Sequence, residues 1–434
     1  MKFRTIILLF LIPLELSAVN FKAADKLIAD VIVKRLEGKP APDLSISPDT
    51  CLFNQDEIDF SKLNACKYYL KETYVTEDID AYLSYINKLV SFRIKPVQIP
   101  EYSKVLSAEY EEVNSKLYFE IARSNYQFGD YNEALTFLKK IDDTLDNDSV
   151  YHALLIYGLV YFEKDNLKKA KYYLNRIDRA SSQYKYAKYN LALISMRSSW
   201  WSEAEEHLRQ AINAFNTPVL TEADEQLLDR IYLTLGYSQV NRKGFREAKN
   251  TFEKISLKSQ LKYRALLGIA MSEIGLNRLS KAAPILKYIM KETEGNEYID
   301  ALVVLPQVYH HADNIKLSVD YYNQAVDKLN SYIKNNNKHY SNTDDLINYF
   351  REQDPWVASE TERRLLVIND IKNNLSLSGK QKEKLKLAKR TINSELSQYY
   401  LIHIKKMTSK INDYIKQVKY SLAVIYDESV AVNE

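Results

Sequence analysis

The stretch Asp229 to Ile255, DRIYLTLGYSQVNRKGFREAKNTFEKI, decides how the chain is read. An aromatic residue, Tyr232, is followed four positions on by a small one, Gly236, and twelve further by Ala248. Leu235, Phe245, Phe252 and Ile255 surround them. Such offsets fit two helices that cross closely, because large side chains fill the space that small residues leave at the crossing.

The same alternation extends in both directions. The small residue of the second helix recurs at Ala134, Ala170, Ala204, Ala248, Ala282 and Ser318, in steps of 36, 34, 44, 34 and 36. Tyr131, Leu167, Trp201, Phe245, Leu279 and Ile315 precede it by three, and Leu138, Leu174, Leu208, Phe252, Leu286 and Tyr322 follow it by four. A period near 34 residues is the mark of a helix–turn–helix repeat. Over residues 111–330 the chain therefore resembles the tetratricopeptide repeat (TPR) family, with about six units. The first-helix small residue is Gly158 or Gly236 in two units and Ala122, Ala192 or Ala270 in three. Pro306 takes that slot in the sixth, where it is expected to bend or break the helix. The longer step adds about ten residues between Asn216 and Gln226, with Pro218 ending one helix and Thr221 capping the next.

The resemblance implies a superhelix, an α-solenoid, whose first helices line a concave wall. Carried over unit by unit, the inward positions are Phe119, Arg123 and Tyr126; Leu155, Leu159 and Phe162; and Tyr189, Leu193, Met196 and Arg197. Arg230, Leu233 and Tyr237 follow, then Arg264, Leu267 and Met271, while His310 falls on the sixth unit. An apolar wall with arginines suits an extended peptide or an amphipathic helix, the arginines pairing with a carboxylate. The chain's own terminal helices are the other possible occupant of that wall. The expected function is a non-catalytic scaffold or adaptor of a cell-envelope complex, with a chaperone or assembly factor for secreted or outer-membrane proteins as the alternative.

Outside the repeats, residues 1–18 read as a signal peptide. Lys2 and Arg4 precede the apolar run Ile6 to Leu14, and Ser17-Ala18 supplies small residues for cleavage. A buried N-terminal helix is the other reading; the run is too short to span a membrane. Export to a bacterial periplasm follows from the first. Cys51 and Cys66 would bond there, closing a loop worth about 3 kcal/mol, unless they remain buried thiols. Residues 19–110 read as a helical cap holding that disulfide. A polar loop or linker is expected over 331–358, and residues 359–434 as a helical hairpin or coiled coil. In that last stretch Tyr400, Ile404, Met407, Ile411, Tyr414, Val418 and Ile425 follow a 3.5-residue period. This seam would pair with the preceding helix, or else form a homodimer or grip another protein.

Composition narrows the rest. Nine Gly and ten Pro among 434 residues leave few helix breakers, so the chain is all-α. Sixty Lys and Arg against 57 Asp and Glu give no general footprint for a nucleic acid. The basic run Lys380 to Arg390 reads as a solvated helix face or a contact for an anionic lipid or glycan. The 34 tyrosines read as packing residues with wet hydroxyls, or as sugar platforms. No nucleotide loop, paired-cysteine motif or His-Glu-x-x-His appears, and His310-His311 point too far apart along a helix to share a metal. No enzyme activity, cofactor or metal is expected, and the partners are other envelope proteins.

Overall fold

The computed structural model describes residues 21–36, 51–53, 60–72, 79–91, 94, 111–142, 145–215, 220–336, 340, 342–374 and 377–431. The signal-peptide reading and most of the segment 93–110 lie outside them. All regular structure among the described residues is helical. The chain divides into two compact units, one of Ala18–Gln183 with Asn342–Gln398, the other of Tyr184–Ser341 with Tyr399–Glu434.

In the first unit, α1 (Lys22–Leu36), α2 (Phe60–Glu72) and α3 (Ile79–Ser91) precede two helix pairs, α4 (Glu111–Gln127) with α5 (Tyr131–Leu138) and α6 (Asn147–Glu163) with α7 (Leu167–Leu174). Cys51 and Cys66 form a disulfide, both buried, with Cα atoms 4.9 Å apart. The second unit holds four more pairs: α8 (Tyr184–Arg197) with α9 (Trp201–Ile212), α10 (Glu222–Asn241) with α11 (Phe245–Phe252), α12 (Lys262–Gly275) with α13 (Leu279–Glu292), and α14 (Asn296–His311) with α15 (Ile315–Asn336). Every one of the six small residues of the second helices is fully buried, so each crossing is as close as the sequence requires. Thr221 caps α10, its hydroxyl accepting from the Asp224 amide at 3.1 Å.

The turn inside each pair is a repeated device that the sequence hides. Gly129, Asp165, Ser199, Lys243, Asn277 and Asp313 all have φ between 54° and 72°, each five residues before its small residue. The amide of each donates to the carbonyl three residues back, and the next amide to the one five back from itself, as in Asn277 to Ile274 (2.9 Å) and Arg278 to Glu273 (2.8 Å). These are left-handed helix ends that satisfy orphan carbonyls. Only one of the six is glycine, although an L side chain costs about 1–2 kcal/mol in this conformation. Lys243→Gly is therefore expected to raise stability by about 0.5–1 kcal/mol, after glycine's own entropy is set against the relief. Urea melts check it; a loss of stability would mean that the Lys243 side chain contributes packing that the backbone argument omits.

Three expectations need correction. Pro306 does not break α14, which runs through it. It is buried, and the carbonyl of Pro306 accepts from the Ser318 hydroxyl at 2.9 Å, tying the helix to α15 where the other units place alanine. The described residues of 331–358 are mostly helical rather than a loop: α15 runs on to Asn336, and α16 (Thr343–Gln353) and α17 (Pro355–Asn374) follow. The Asn342 side chain caps α16 by accepting from the Asp345 amide at 2.8 Å, and Leu346, Ile347 and Phe350 bury its inner face. Pro355 opens α17 because its fixed φ suits a first helical position.

The third correction concerns α18 (Gly379–Ala431). Within the second unit its seam packs on the last repeat pair. Met407, Ile411, Tyr414, Val418 and Ile425 pack on Ile299, Leu302, Val303, Tyr322, Ala325 and Leu329 of α14 and α15. A repeat array ends in an open apolar face, and the seam covers it. In the first unit the opening stretch of α18 meets α1: the Ala23 amide donates to Glu395 at 3.2 Å and Lys384 pairs with Asp30 at 2.9 Å. The N-terminal helix is thus tied by polar contacts to residues more than 350 positions away.

Candidate functional site

The positions that the resemblance places inward lie on the first helix of each pair. In the first unit Phe119 and Leu155 are buried, while Leu159, Phe162, Arg123 and Tyr126 are half-buried. Phe119 meets His152 edge-on at 5.2 Å. Arg123 pairs with Glu120 and donates to Asn87 of α3 at 3.1 Å. Burial pushes the Glu120 carboxyl up, and the Arg123 charge and hydrogen bond pull it back. Burial, then the charge of Glu163, pushes the Tyr126 phenol up to about 12. The first pair's inner arginine is therefore held by the chain's own α3 and by its neighbour on α4.

In the second unit Tyr189, Leu193 and Met196 are half-buried, and Arg197 and Arg230 are exposed. Leu233, Leu267 and Met271 are 8%, 2% and 7% exposed and belong to the packing between pairs, so they offer a partner almost no area. Their reading as contact residues is corrected on that ground, as it is for Phe119 and Leu155. Inner register and accessibility separate here because neighbouring helices crowd at the small residues, and a long apolar side chain folds back into the gap.

Polar groups along this wall are mostly bonded to one another. The Tyr237 hydroxyl donates to the Arg264 carbonyl at 3.1 Å, and burial raises that phenol strongly. The Arg264 guanidinium pairs with Glu297 at 3.1 Å. Next along α14, buried Asp300 accepts from Lys410 Nζ at 3.0 Å and from the Tyr414 hydroxyl at 2.9 Å, both on α18. Burial pushes the Asp300 carboxyl up and the Lys410 ammonium draws it down. At the sixth pair the inner face is thus occupied by the chain itself. Of the arginines expected to take a ligand carboxylate, Arg123 and Arg264 already hold one. Arg230 pairs with no carboxylate among the described residues.

His152, Tyr186 and Asp300 share the register of Arg230 and Arg264, six positions before the first-helix small slot, and sequence reasoning passed over them. The fixed offset was the available signal. Several tyrosines pack on one another, while Tyr172, Tyr288, Tyr420 and Tyr426 stay exposed. Tyr161 stacks on Tyr173 at 5.6 Å and Tyr309 on Tyr321 at 5.2 Å, at the same register in two pairs. Lys169 lies 5.0 Å over Tyr161, and Lys287 5.5 Å over both Tyr309 and Tyr321, so their own cations cover the ring faces. The rings of His310 and His311 lie 6.0 Å apart. Among the described residues no group of three His, Cys, Asp or Glu is arranged to hold a metal, and no helix is long and apolar enough to cross a membrane.

No family model matches the chain, and no curated protein matches it. Solved structures do. It is similar to PilF of Pseudomonas aeruginosa (15% identity over 49% of this chain and 91% of that one, TM-score 0.37) and to the C-terminal part of a TPR repeat-containing protein of Cytophaga hutchinsonii (12%, 74% and 99%, TM-score 0.37). YrrB, described as a TPR protein with an unusual peptide-binding site, matches at 14% identity over 40% of this chain and 84% of that one, with a TM-score of 0.34. The chain's own geometry carries the assignment. Paired helices in steps of 34 to 36 residues, one step lengthened to 44, crossing at buried alanine, glycine or serine and turned by a left-handed residue at a constant offset, make this a tetratricopeptide-repeat fold.

Proposed function

We propose that the protein is a non-catalytic interaction scaffold, exported to a bacterial periplasm, that captures a peptide or helix of an envelope partner. The observation that carries this reading is the inner face of α8 and α10. Tyr189, Leu193 and Met196 stay partly open there, beside exposed Arg197 and Arg230, while the end pairs of both units are engaged by α3 and α18. Partly exposed aromatic, methionine and arginine side chains are the composition of interface cores. The Cys51–Cys66 disulfide and the apolar run after Lys2 and Arg4 support export.

Leu193→Glu is expected to abolish partner capture with helical content unchanged, since Leu193 is only half-buried and a carboxylate there meets solvent when the site is empty. Crosslinking in intact cells followed by mass spectrometry reads the outcome, with Leu159→Glu testing the first unit in the same way. Loss of one stoichiometric envelope complex supports a scaffold. A broad set of unfolded clients supports the chaperone instead, and undiminished capture in both variants removes the inner face from consideration.

A further inference from the structure

The opening three turns of α18 concentrate charge in a way the repeats do not explain. Lys380, Lys382, Lys384, Lys386, Lys389 and Arg390 stand against one carboxylate, Glu383, whereas the whole chain carries only +3. Lys384 is engaged with Asp30 at 2.9 Å, and Lys386 lies 3.9 Å from Glu383 with both side chains exposed. Lys380, Lys382, Lys389 and Arg390 are exposed and pair with no carboxylate among the described residues. Lys382 with Lys386, and Lys386 with Arg390, are like charges one helical turn apart, which repel. Leu387, 49% exposed, shares the side of the helix that carries Lys380, Lys384 and Arg390, one turn from Glu383 and from Arg390.

We propose that this face of α18 docks the protein on an anionic phospholipid surface. A polyanionic plane relieves the repulsion among the lysines and attracts each one that comes within a Debye length. Leu387 decides between the possible polyanions. A leucine side chain gains free energy by leaving water for the boundary of the acyl chains and gains none against a glycan or a nucleic acid. The docking needs no spanning helix.

The full-length protein is tested by flotation with vesicles of about one-third phosphatidylglycerol in phosphatidylcholine, beside vesicles of phosphatidylcholine alone. Binding to the anionic vesicles is expected to exceed binding to the neutral ones by about tenfold or more and to fall steeply with added salt. Lys389→Glu with Arg390→Glu is expected to lower it about tenfold, and Leu387→Ser about threefold, with circular dichroism unchanged because all three side chains are exposed. Equal binding to neutral vesicles, or undiminished binding by the charge-reversed variant, would overturn the proposal. So would tight binding of heparin, unaffected by Leu387→Ser, in a protein that ignores vesicles, since the partner would then be a glycan.

Discussion

Phe252→Ala is expected to cost about 3–5 kcal/mol, the loss found when a large aromatic leaves a core that cannot collapse around the gap. The ring is 1% exposed and sits between two glycines of neighbouring first helices. A Cβ at Gly236 would come within 2.5 Å of it, and one at Gly268 within 2.4 Å. Tyr237 meets the ring edge-on at 5.1 Å. Backbone on two sides cannot follow a shrinking side chain as a flexible neighbour would, so the cavity stays open. Leu233, Val240, Ala248, Ile255, Ala265 and Met271 share the cluster, which joins the fourth pair to the fifth. Stability in a repeat array is a sum of neighbour terms, so weakening one interface also reduces the cooperativity between its two sides. Urea unfolding should show a lower midpoint and a shallower or split transition. A loss below about 1 kcal/mol would mean that the glycines do not grip the ring. Gly236→Ala tests the same contact from the other direction: the ring has no room to retreat from a methyl group, and overpacking of this kind costs about 1–3 kcal/mol.

That contact shows how much of the fold the sequence made legible. Gly236, Ala248 and Phe252 all stand in the stretch that revealed the repeat, because close helix crossings write their demand for small and large residues directly into the text. Left-handed turns write almost nothing: Lys243 and Ser199 adopt the conformation without being glycine, held by the two hydrogen bonds of the helix end. Buried register is equally opaque. Leu193 and Met271 each follow the small residue of a first helix by one position, yet one is half-buried and the other 7% exposed, because neighbouring helices pack differently on them. The polar text around Asn335 to Asn337 conceals the last turn of α15 for a simpler reason, since exposed helix faces and loops share a composition. The seam from Tyr400 to Ile425 was readable as a seam. Its partner, the last repeat, was not, because periodicity names a face and says nothing of what covers it.

Long-range closure escapes periodicity altogether, and the first unit is closed by an ion pair spanning 339 positions. Arg364 of α17 is forked onto Asp25 of α1, with Nε and Nη2 donating at 2.7 and 3.0 Å. Its Nη1 donates to the Glu360 carboxylate at 3.0 Å and to the Glu360 carbonyl at 2.8 Å, and the guanidinium lies 4.2 Å over the buried Phe21 ring. All three charged side chains are nearly shut off from water, at 7%, 12% and 11% exposure. A buried pair of this kind contributes little net stability when whole, because desolvation offsets the attraction; removing one member is what costs. Arg364→Ala strands the Asp25 carboxylate and an aromatic face at once, leaving Glu360 with Arg363 at 3.3 Å, and is expected to lose about 3–5 kcal/mol. Arg364→Lys should recover only part, since an ammonium cannot donate a parallel fork to Asp25. Asp25→Asn added to Arg364→Ala should restore some of the loss by removing one stranded charge. The variants separate two failures. If α1 detaches while the rest of the unit holds, trypsin will cut at Lys26 and Lys34 before any change in helical signal; if the unit unfolds as one body, cleavage and unfolding will coincide. Wild-type resistance to both in the Arg364→Ala protein would mean that the apolar contacts of Phe21, Ile28 and Ile32, all buried, are enough to seat α1 without the fork.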